Sequence, residues 1–355
     1  MRVLSVVGAR PQFIKSVALS RVLQDHHDEH LLHTGQHYDE SLSGVFFDEL
    51  DVEDPAYTLG VGSDTHGRQT AAMLEGIEAA IEDASPDVVV LYGDTNSTVA
   101  GALAAAKTDP LVAHVEAGLR SYNREMPEET NRIVTDHVSD LLFCPSESAV
   151  DTLAEEGLTE GVHEVGDVMF DMILWVRDRA RARSDVLERL ALDPNEYILS
   201  TVHRAGTTDD PDRLASVLEA LGEVPQSVVL PVHPRTEDRL RSFDLWDRAT
   251  DLLRVVDPVG YVDFVRLVDG ASRVATDSGG VQKEAFYLDT PCVTMREETE
   301  WRETVDCGWN RLVGTDRDAI RAVLTTDDWP ETKPPLYGDG DAAPRIVDVL
   351  ESSVG

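Results

Sequence analysis

Lysine is nearly absent from this chain of 355 residues: only Lys15, Lys107, Lys283 and Lys333 occur, and arginine supplies the remaining positive charge. Against 31 basic residues stand 67 carboxylates, for a net charge of -36 and an isoelectric point near 4.4. No basic stripe exists to neutralise phosphates, so nucleic acid is disfavoured as a partner. The cysteines Cys144, Cys292 and Cys307 are odd in number and widely spaced, which argues against a disulfide framework and against a zinc motif. Cys144 and Cys292 lie in strand-like apolar surroundings and read as core residues. No apolar run approaches the roughly 18 residues needed to span a membrane. The first apolar segment, Met1 to Val7, runs into a loop too early for a signal peptide. These absences predict a cytoplasmic protein with no membrane partner.

The excess acid concentrates in predicted helices and loops, as in Thr208-Asp209-Asp210-Pro211-Asp212. Such a charge resists aggregation but repels itself, and salt screens the repulsion. A salt-rich cytoplasm is the reading this supports, against that of an ordinary acidic enzyme.

What is present is alternation. Apolar runs at Val3 to Val7, His30 to Thr34, Val88 to Tyr92, Leu111 to Val115 and Leu141 to Cys144 read as strands. Helical patterns fill the gaps, at about Ile14 to Gln24, His66 to Asp83, Ser97 to Lys107 and Asn131 to Ser139. Gly166-Asp167 breaks the pattern before a charged helix around Trp175 to Arg179. Strands resume at Tyr197 to Val202, Val228 to Val232, Leu253 to Val256, Arg273 to Thr276 and Pro291 to Met295. The prediction is α/β, with two Rossmann-like doubly wound domains and a cleft between them as the default binding site. The domains are placed at 1–167 and 168–340, with a C-terminal helix at about 341–355 as a candidate to pack back on the first.

Ligands of open α/β sheets bind outside the carboxyl ends of the strands, and this chain puts acidic groups there. Gly93-Asp94-Thr95 and His114-Val115-Glu116-Ala117-Gly118-Leu119-Arg120 close two strands, and Pro127-Glu128-Glu129-Thr130-Asn131-Arg132 follows. Gly8-Ala9-Arg10-Pro11 closes the first strand and opens a helix, a place that suits an anion, with Lys15 about one turn further on. It lacks the three spaced glycines of a dinucleotide fingerprint. Asp277-Ser278-Gly279-Gly280 closes a later strand, where small residues let amides approach a phosphate and Glu284 is placed to accept from a ribose diol. His203 and His233 end successive strands without metal-ligand spacing, so no metal is expected. Gln36-His37-Tyr38-Asp39 also follows a strand and reads as a sugar contact or as ordinary loop polarity. Read singly, each of these motifs is also compatible with a structural turn, cap or ion pair.

Together they resemble the non-hydrolysing UDP-N-acetylglucosamine 2-epimerases, nearly end to end, with Val202-His203-Arg204, Val281-Gln282-Lys283-Glu284 and Arg311-Leu312-Val313-Gly314 among the matching segments. The resemblance implies a glycosyltransferase-B-like fold, a homodimer, no cofactor and a UDP-sugar substrate. It implies elimination of UDP across C1 and C2 to 2-acetamidoglucal, then re-addition with the proton on the opposite face, giving the N-acetylmannosamine epimer. Asp94, Glu116 and Glu128 would form the acid/base set, and His203 would support the leaving phosphate. Arg10, Lys15, Ser278, Gly279, Gly280, Glu284 and Arg311 would hold UDP. Gln36, His37, Arg68 and His233 match a second sugar-nucleotide or activator site.

Two departures stand out. The first loop ends in Gln12 where the family usually has glutamate, and His203-Arg204 is followed by Ala205-Gly206-Thr207 where relatives carry a Glu-Asn or Glu-Ser pair. The second bears on the sugar pocket. Another UDP-2-acetamido sugar, a transferase of the same fold and a non-catalytic UDP-sugar sensor are the alternatives; the last leaves the three carboxylates unexplained.

Overall fold

The apolar runs become the strands of two parallel sheets. The computed structural model describes residues 1–24, 26–36 and 54–355, which divide into two units, Met1–Met172 with Tyr337–Gly355, and Ile173–Leu336. In the first unit lie β1 (Arg2–Val7), β2 (Asp28–His33), β3 (Tyr57–Thr58), β4 (Val88–Tyr92), β5 (Leu111–Val115), β6 (Leu141–Cys144) and β7 (Val162–Glu164). Their order is β3-β2-β1-β4-β5-β6-β7, and every neighbouring pair is parallel. The second unit holds β8 (Tyr197–Thr201), β9 (Ser227–Pro231), β10 (Arg254–Val256), β11 (Arg273–Thr276), β12 (Cys292–Thr294) and β13 (Asn310–Leu312). These run parallel in the order β10-β9-β8-β11-β12-β13. The chain is thus α/β, with two Rossmann-like doubly wound units.

Parallel strands covered on both faces read as continuous apolar runs, and β4 is buried at all of its positions. The helix Asn96–Ala105 packs on it through small residues. A Cβ at Gly101 would stand 2.5 Å from Leu91 Cδ2, so this helix sits closer to the sheet than a side chain at that position permits. Cores of Val, Leu, Ile and Ala fill the space between strands and helices in each unit. Cys144 and Cys292 are buried free thiols, and burial pushes both up to about 12, the range of inert cysteines.

Some boundaries differ from the sequence expectation. The first helix, Arg10–Leu23, begins before Ile14, because Pro11 in its first turn fits where no backbone donor is required. The short strands β3, β7 and β13 were not expected; they carry too few residues and too little burial to show as apolar runs. The helix Val168–Arg183 crosses the division between the units. The terminal helix Ala342–Val354 belongs to the first unit, where Asp171 accepts hydrogen bonds from Ala342 and Ala343 N–H. No described helix is long and apolar enough to cross a membrane.

Strand order reverses between β1 and β4 in one sheet and between β8 and β11 in the other. Loops leaving the carboxyl ends of such a pair diverge and open a crevice. Each unit therefore has its own switch point, and the candidate motifs lie there.

Candidate active site

At the switch point of the first unit, Gln12 ties the two diverging loops together. Its side chain is almost fully buried; Oε1 accepts from Gly8 N–H at 2.9 Å and Ala9 N–H at 3.0 Å. Its Nε2 donates to the Tyr92 carbonyl at 2.6 Å and to Thr98 Oγ1 at 2.9 Å. The first two amides of the loop after β1 are thus occupied, and what this end offers an anion is Lys15. The side chain of Arg10 and the whole of His37 lie outside the described residues.

Lys15 Nζ donates to Glu116 Oε2, and each side chain keeps only 12% of its surface exposed. Burial disfavours the ammonium, but Glu116, Asp94 and Asp167 outweigh it and raise the Lys15 pKa above its ordinary value. Glu116 sits in the left-handed region at φ 78°, immediately after β5, a conformation costly for a side-chain-bearing residue. Gly93, also left-handed at φ 63°, lies beneath the pair: a Cβ there would stand 3.3 Å from both Glu116 Oε2 and Lys15 Nζ.

Asp94 is held by the helix Pro127–Val138. Arg132 Nη2 donates to Asp94 Oδ2, and Asn131 Nδ2 donates to the Asp94 carbonyl at 2.9 Å. Arg132 also reaches Glu129 Oε2 at 3.2 Å. Glu129 is buried and accepts from Ser121 N–H, Ser121 Oγ–H and Tyr122 N–H, so it pins the loop between Glu116 and Glu128. Burial pushes its carboxyl up, but these bonds and Arg132 outweigh burial and hold it below the usual range. Glu128, in the first turn of that helix, is partly exposed and has no hydrogen-bond or ion-pair partner among the described residues. Of the three predicted carboxylates, two are paired with a cation and one is open.

Gln36 is buried and its Oε1 accepts from Ser97 N–H at 3.0 Å and Ser97 Oγ–H at 2.8 Å, a bond that secures the loop after β2. Arg68 is exposed in the first turn of the helix His66–Ala84.

In the second unit, Asp277 clamps the loops of the switch point. It is fully buried, and its carboxylate accepts from His203 N–H at 3.1 Å and Arg204 N–H at 2.9 Å. His203 Nδ1 stands 3.5 Å from Asp277 Oδ1. Ser278 caps the helix Gly279–Tyr287 through Val281 N–H. The N–H groups of Gly279 and Gly280 have no partner among the described residues, as at a helix terminus that receives an anion. A Cβ at Gly280 would meet only Ser278 Oγ, at 4.0 Å, whereas one at Gly279 would collide with Glu300 Oε1. Glu284 Oε1 accepts from Tyr261 O–H at 3.2 Å. The ring centroids of His203 and His233 are 5.5 Å apart. His233 Nδ1 accepts from Arg235 N–H and caps the helix Pro234–Ser242; burial, His203 and Arg235 all lower its pKa. Arg311 lies on the edge strand β13, with its guanidinium 4.4 Å over the Trp329 ring and donating to the Asp328 carbonyl.

Two cavities of the second unit went unnoticed in the sequence, since their linings come from segments far apart in the chain. One of about 680 Å³ follows the ends of β9 and β10, against Val232, Trp246, Val256 and Pro258. The other, about 190 Å³, is lined by Arg204, Arg213, Arg296, Glu297 and Gly314. No described group of His, Cys, Asp and Glu has the arrangement of a metal site. Gln12, Glu129 and Asp277 were likewise missed as site residues; their motifs were visible but their partners were not.

The sequence model of the UDP-N-acetylglucosamine 2-epimerase family matches residues 21–351. The UDP-2,3-diacetamido-2,3-dideoxy-D-glucuronate 2-epimerase of Pseudomonas aeruginosa is 46% identical over 360 residues, covering 99% of both chains. The crystal structure of Methanocaldococcus jannaschii UDP-GlcNAc 2-epimerase in complex with UDP-GlcNAc and UDP has a TM-score of 0.83 at 40% identity, over 99% of this chain and 100% of the other. A calicheamicin glycosyltransferase, at 14% identity and a TM-score of 0.57, shares the glycosyltransferase-B-like fold alone.

Proposed function

We propose, from the premise that the chain belongs to the UDP-N-acetylglucosamine 2-epimerase family, that this epimerase interconverts UDP-N-acetylglucosamine and its manno epimer. The observation that carries the reading is the set of carboxylates after β4 and β5, with Asp94 and Glu116 each paired to a cation and Glu128, in the first turn of the helix Pro127–Val138, open. The C2 proton of the sugar is not adjacent to a carbonyl and is weakly acidic. Its removal has to be coupled to departure of UDP from C1, which leaves a 2-acetamidoglucal. Re-addition of the UDP oxygen to C1, with a proton delivered to the opposite face of C2, gives the epimer and balances the reaction.

Proton transfer on two faces calls for more than one acid/base group. Glu128, free of a fixed cation, is the carboxylate we assign to the proton transfer, with Asp94 and Glu116 held in place by Arg132 and Lys15. In the second unit, the Gly279 and Gly280 amides and His203 suit the departing diphosphate, and Glu284 suits the ribose. The net charge of -36 supports work in a salt-rich cytoplasm, and the family resemblance supports a homodimer that supplies amino sugar for a cell-surface polysaccharide.

A second substrate deserves a parallel test. The Pseudomonas relative, named for a diacetamido uronate, is 46% identical to this chain. Arginines 204, 213 and 296 line one cavity together with Glu297 and Glu298, and Arg296 is paired with Glu300, so Arg204 and Arg213 are the groups a sugar carboxylate would meet. Incubation with UDP-N-acetylglucosamine in heavy water at high salt, followed by proton NMR at C2, separates the readings. Deuterium at C2 with appearance of the manno epimer supports the first. Exchange only with the diacetamido uronate supports the second. No exchange with either, from folded protein that binds UDP, overturns both.

A further inference from the structure

We infer that His114 is a positioning residue of this epimerase, a buried imidazolium that holds in register the three segments carrying Asp94, Glu116 and Glu128. The inference rests on the proposed proton-transfer role of those carboxylates and goes beyond it by naming what fixes their geometry.

His114 is fully buried in β5. Its Nδ1 is 2.6 Å from Asp136 Oδ1, and its Nε2 is 2.8 Å from the Gly93 carbonyl oxygen. A carbonyl only accepts, and so does an ionised carboxylate. A neutral ring has one N–H and would set a lone pair against one of these oxygens. Both contacts are satisfied together when each nitrogen donates, which makes the ring a cation.

The surrounding charges balance that state. Asp136, also fully buried, accepts from Arg120 Nη1 at 2.7 Å and from Gly118 N–H at 3.2 Å through its other oxygen. Arg120 in turn holds Glu156 at 2.8 Å. Two cations and two carboxylates thus form one chain, His114, Asp136, Arg120 and Glu156. Burial works against the Asp136 carboxylate, but His114 and Arg120 outweigh it and hold its pKa below the ordinary value.

Each contact secures a different part of the site. Gly93 immediately precedes Asp94. His114 lies two residues before Glu116, whose left-handed backbone needs firm support. Asp136 belongs to the helix that begins at Pro127 and carries Glu128, and through Gly118 it also holds the loop that leaves Glu116. One ring therefore joins the ends of β4 and β5 to the helix between β5 and β6.

The test combines a spectroscopic and a kinetic reading on the full-length protein at high salt. With ¹⁵N-labelled histidine, the His114 ring of the wild type, assigned by its loss in His114→Gln, is expected to show both nitrogens protonated at neutral pH. A neutral tautomer there overturns the inference. In His114→Gln and in Asp136→Asn, kcat is expected to fall about 100-fold, the scale of a misplaced reacting group, while KM and UDP binding change little and the double variant is no worse than either single one. A folded His114→Gln protein with wild-type kcat overturns it; should that variant fail to fold, the wild-type ring spectrum and Asp136→Asn decide. Absence of C2 exchange in the wild type overturns the epimerase reading and this inference with it, whereas exchange that keeps its wild-type rate in both variants overturns this inference alone.

Discussion

The side-chain amide of Gln12 donates to the carbonyl oxygen of Tyr92 over 2.6 Å, and through that bond the loop after β1 is locked to the end of β4. The same amide accepts from Gly8 and Ala9, so one residue meets both donors and acceptors. Gln12→Leu strands these groups in a buried place and is expected to lower stability by about 2–4 kcal/mol. Gln12→Glu keeps the acceptor but needs a proton to face the Tyr92 carbonyl. Its cost should therefore shrink as pH falls. Chemical unfolding of both variants at two pH values checks this; a Leu variant as stable as wild type refutes it.

The Lys15–Glu116 pair predicts a separation of stability from turnover. Removing one partner leaves the other charge buried, so Lys15→Met should destabilise by about 3 kcal/mol. Combining it with Glu116→Gln should restore most of the stability but none of the activity. The Lys15 pKa is raised in the folded state, so its contribution is complete below the unfolded value of 10.5 and is lost only as pH rises through the higher folded value. A double variant that regains turnover would show that the pair serves folding alone.

Asp171 makes a pH prediction of the same sign in a lower window. Burial pushes its carboxyl up to about 6 from the ordinary 3.8, with the Ala343 and Ala342 N–H groups opposing and Asp167 adding to the rise. The folded state then binds the proton more tightly than the unfolded one. This group's contribution to stability is greatest near pH 4, falls as pH rises to about 6, and is constant above. Asp171→Asn removes the titration. Its stability relative to wild type should rise by on the order of 3 kcal/mol across that window and then level off. Unfolding curves of the two proteins from pH 4 to 8 test this, and a constant difference would show that Asp171 does not titrate there.

The charge of -36 predicts salt dependence. Screening shortens the reach of repulsion from about 10 Å at 0.1 M salt to about 3 Å at 1 M. The melting temperature should climb steeply over that range, equally in sodium and potassium chloride, because screening depends on ionic strength. A melting temperature that stays flat or falls would remove the salt-rich reading.

Much of the fold was legible because parallel strands covered on both faces leave long apolar runs. Val88 to Tyr92 and Leu111 to Val115 are found as strands at those bounds. The first helix began earlier than its apolar spacing showed, since Pro11 marks a start that periodicity does not record. Of the candidate site, the loops were legible and their internal bonds were not. Arg311 illustrates the limit: its motif says nothing of Asp328 and Trp329, which engage it at the edge of the second sheet.

The alternation of strands and helices, the acidic loops that follow β4 and β5, and the small residues that open the helix at Gly279 can all be read along the chain. Those features depend on local hydropathy and turn chemistry. Only the tertiary structure decided which charges meet: Lys15 with Glu116 across 101 positions, and Arg132 with Asp94 across 38. It also decided that Gln12, His114 and Asp277 would hold the switch-point loops. A buried polar group must find a partner wherever the packed sheet brings one, and that partner is set by strand order and register, which no local stretch of sequence encodes.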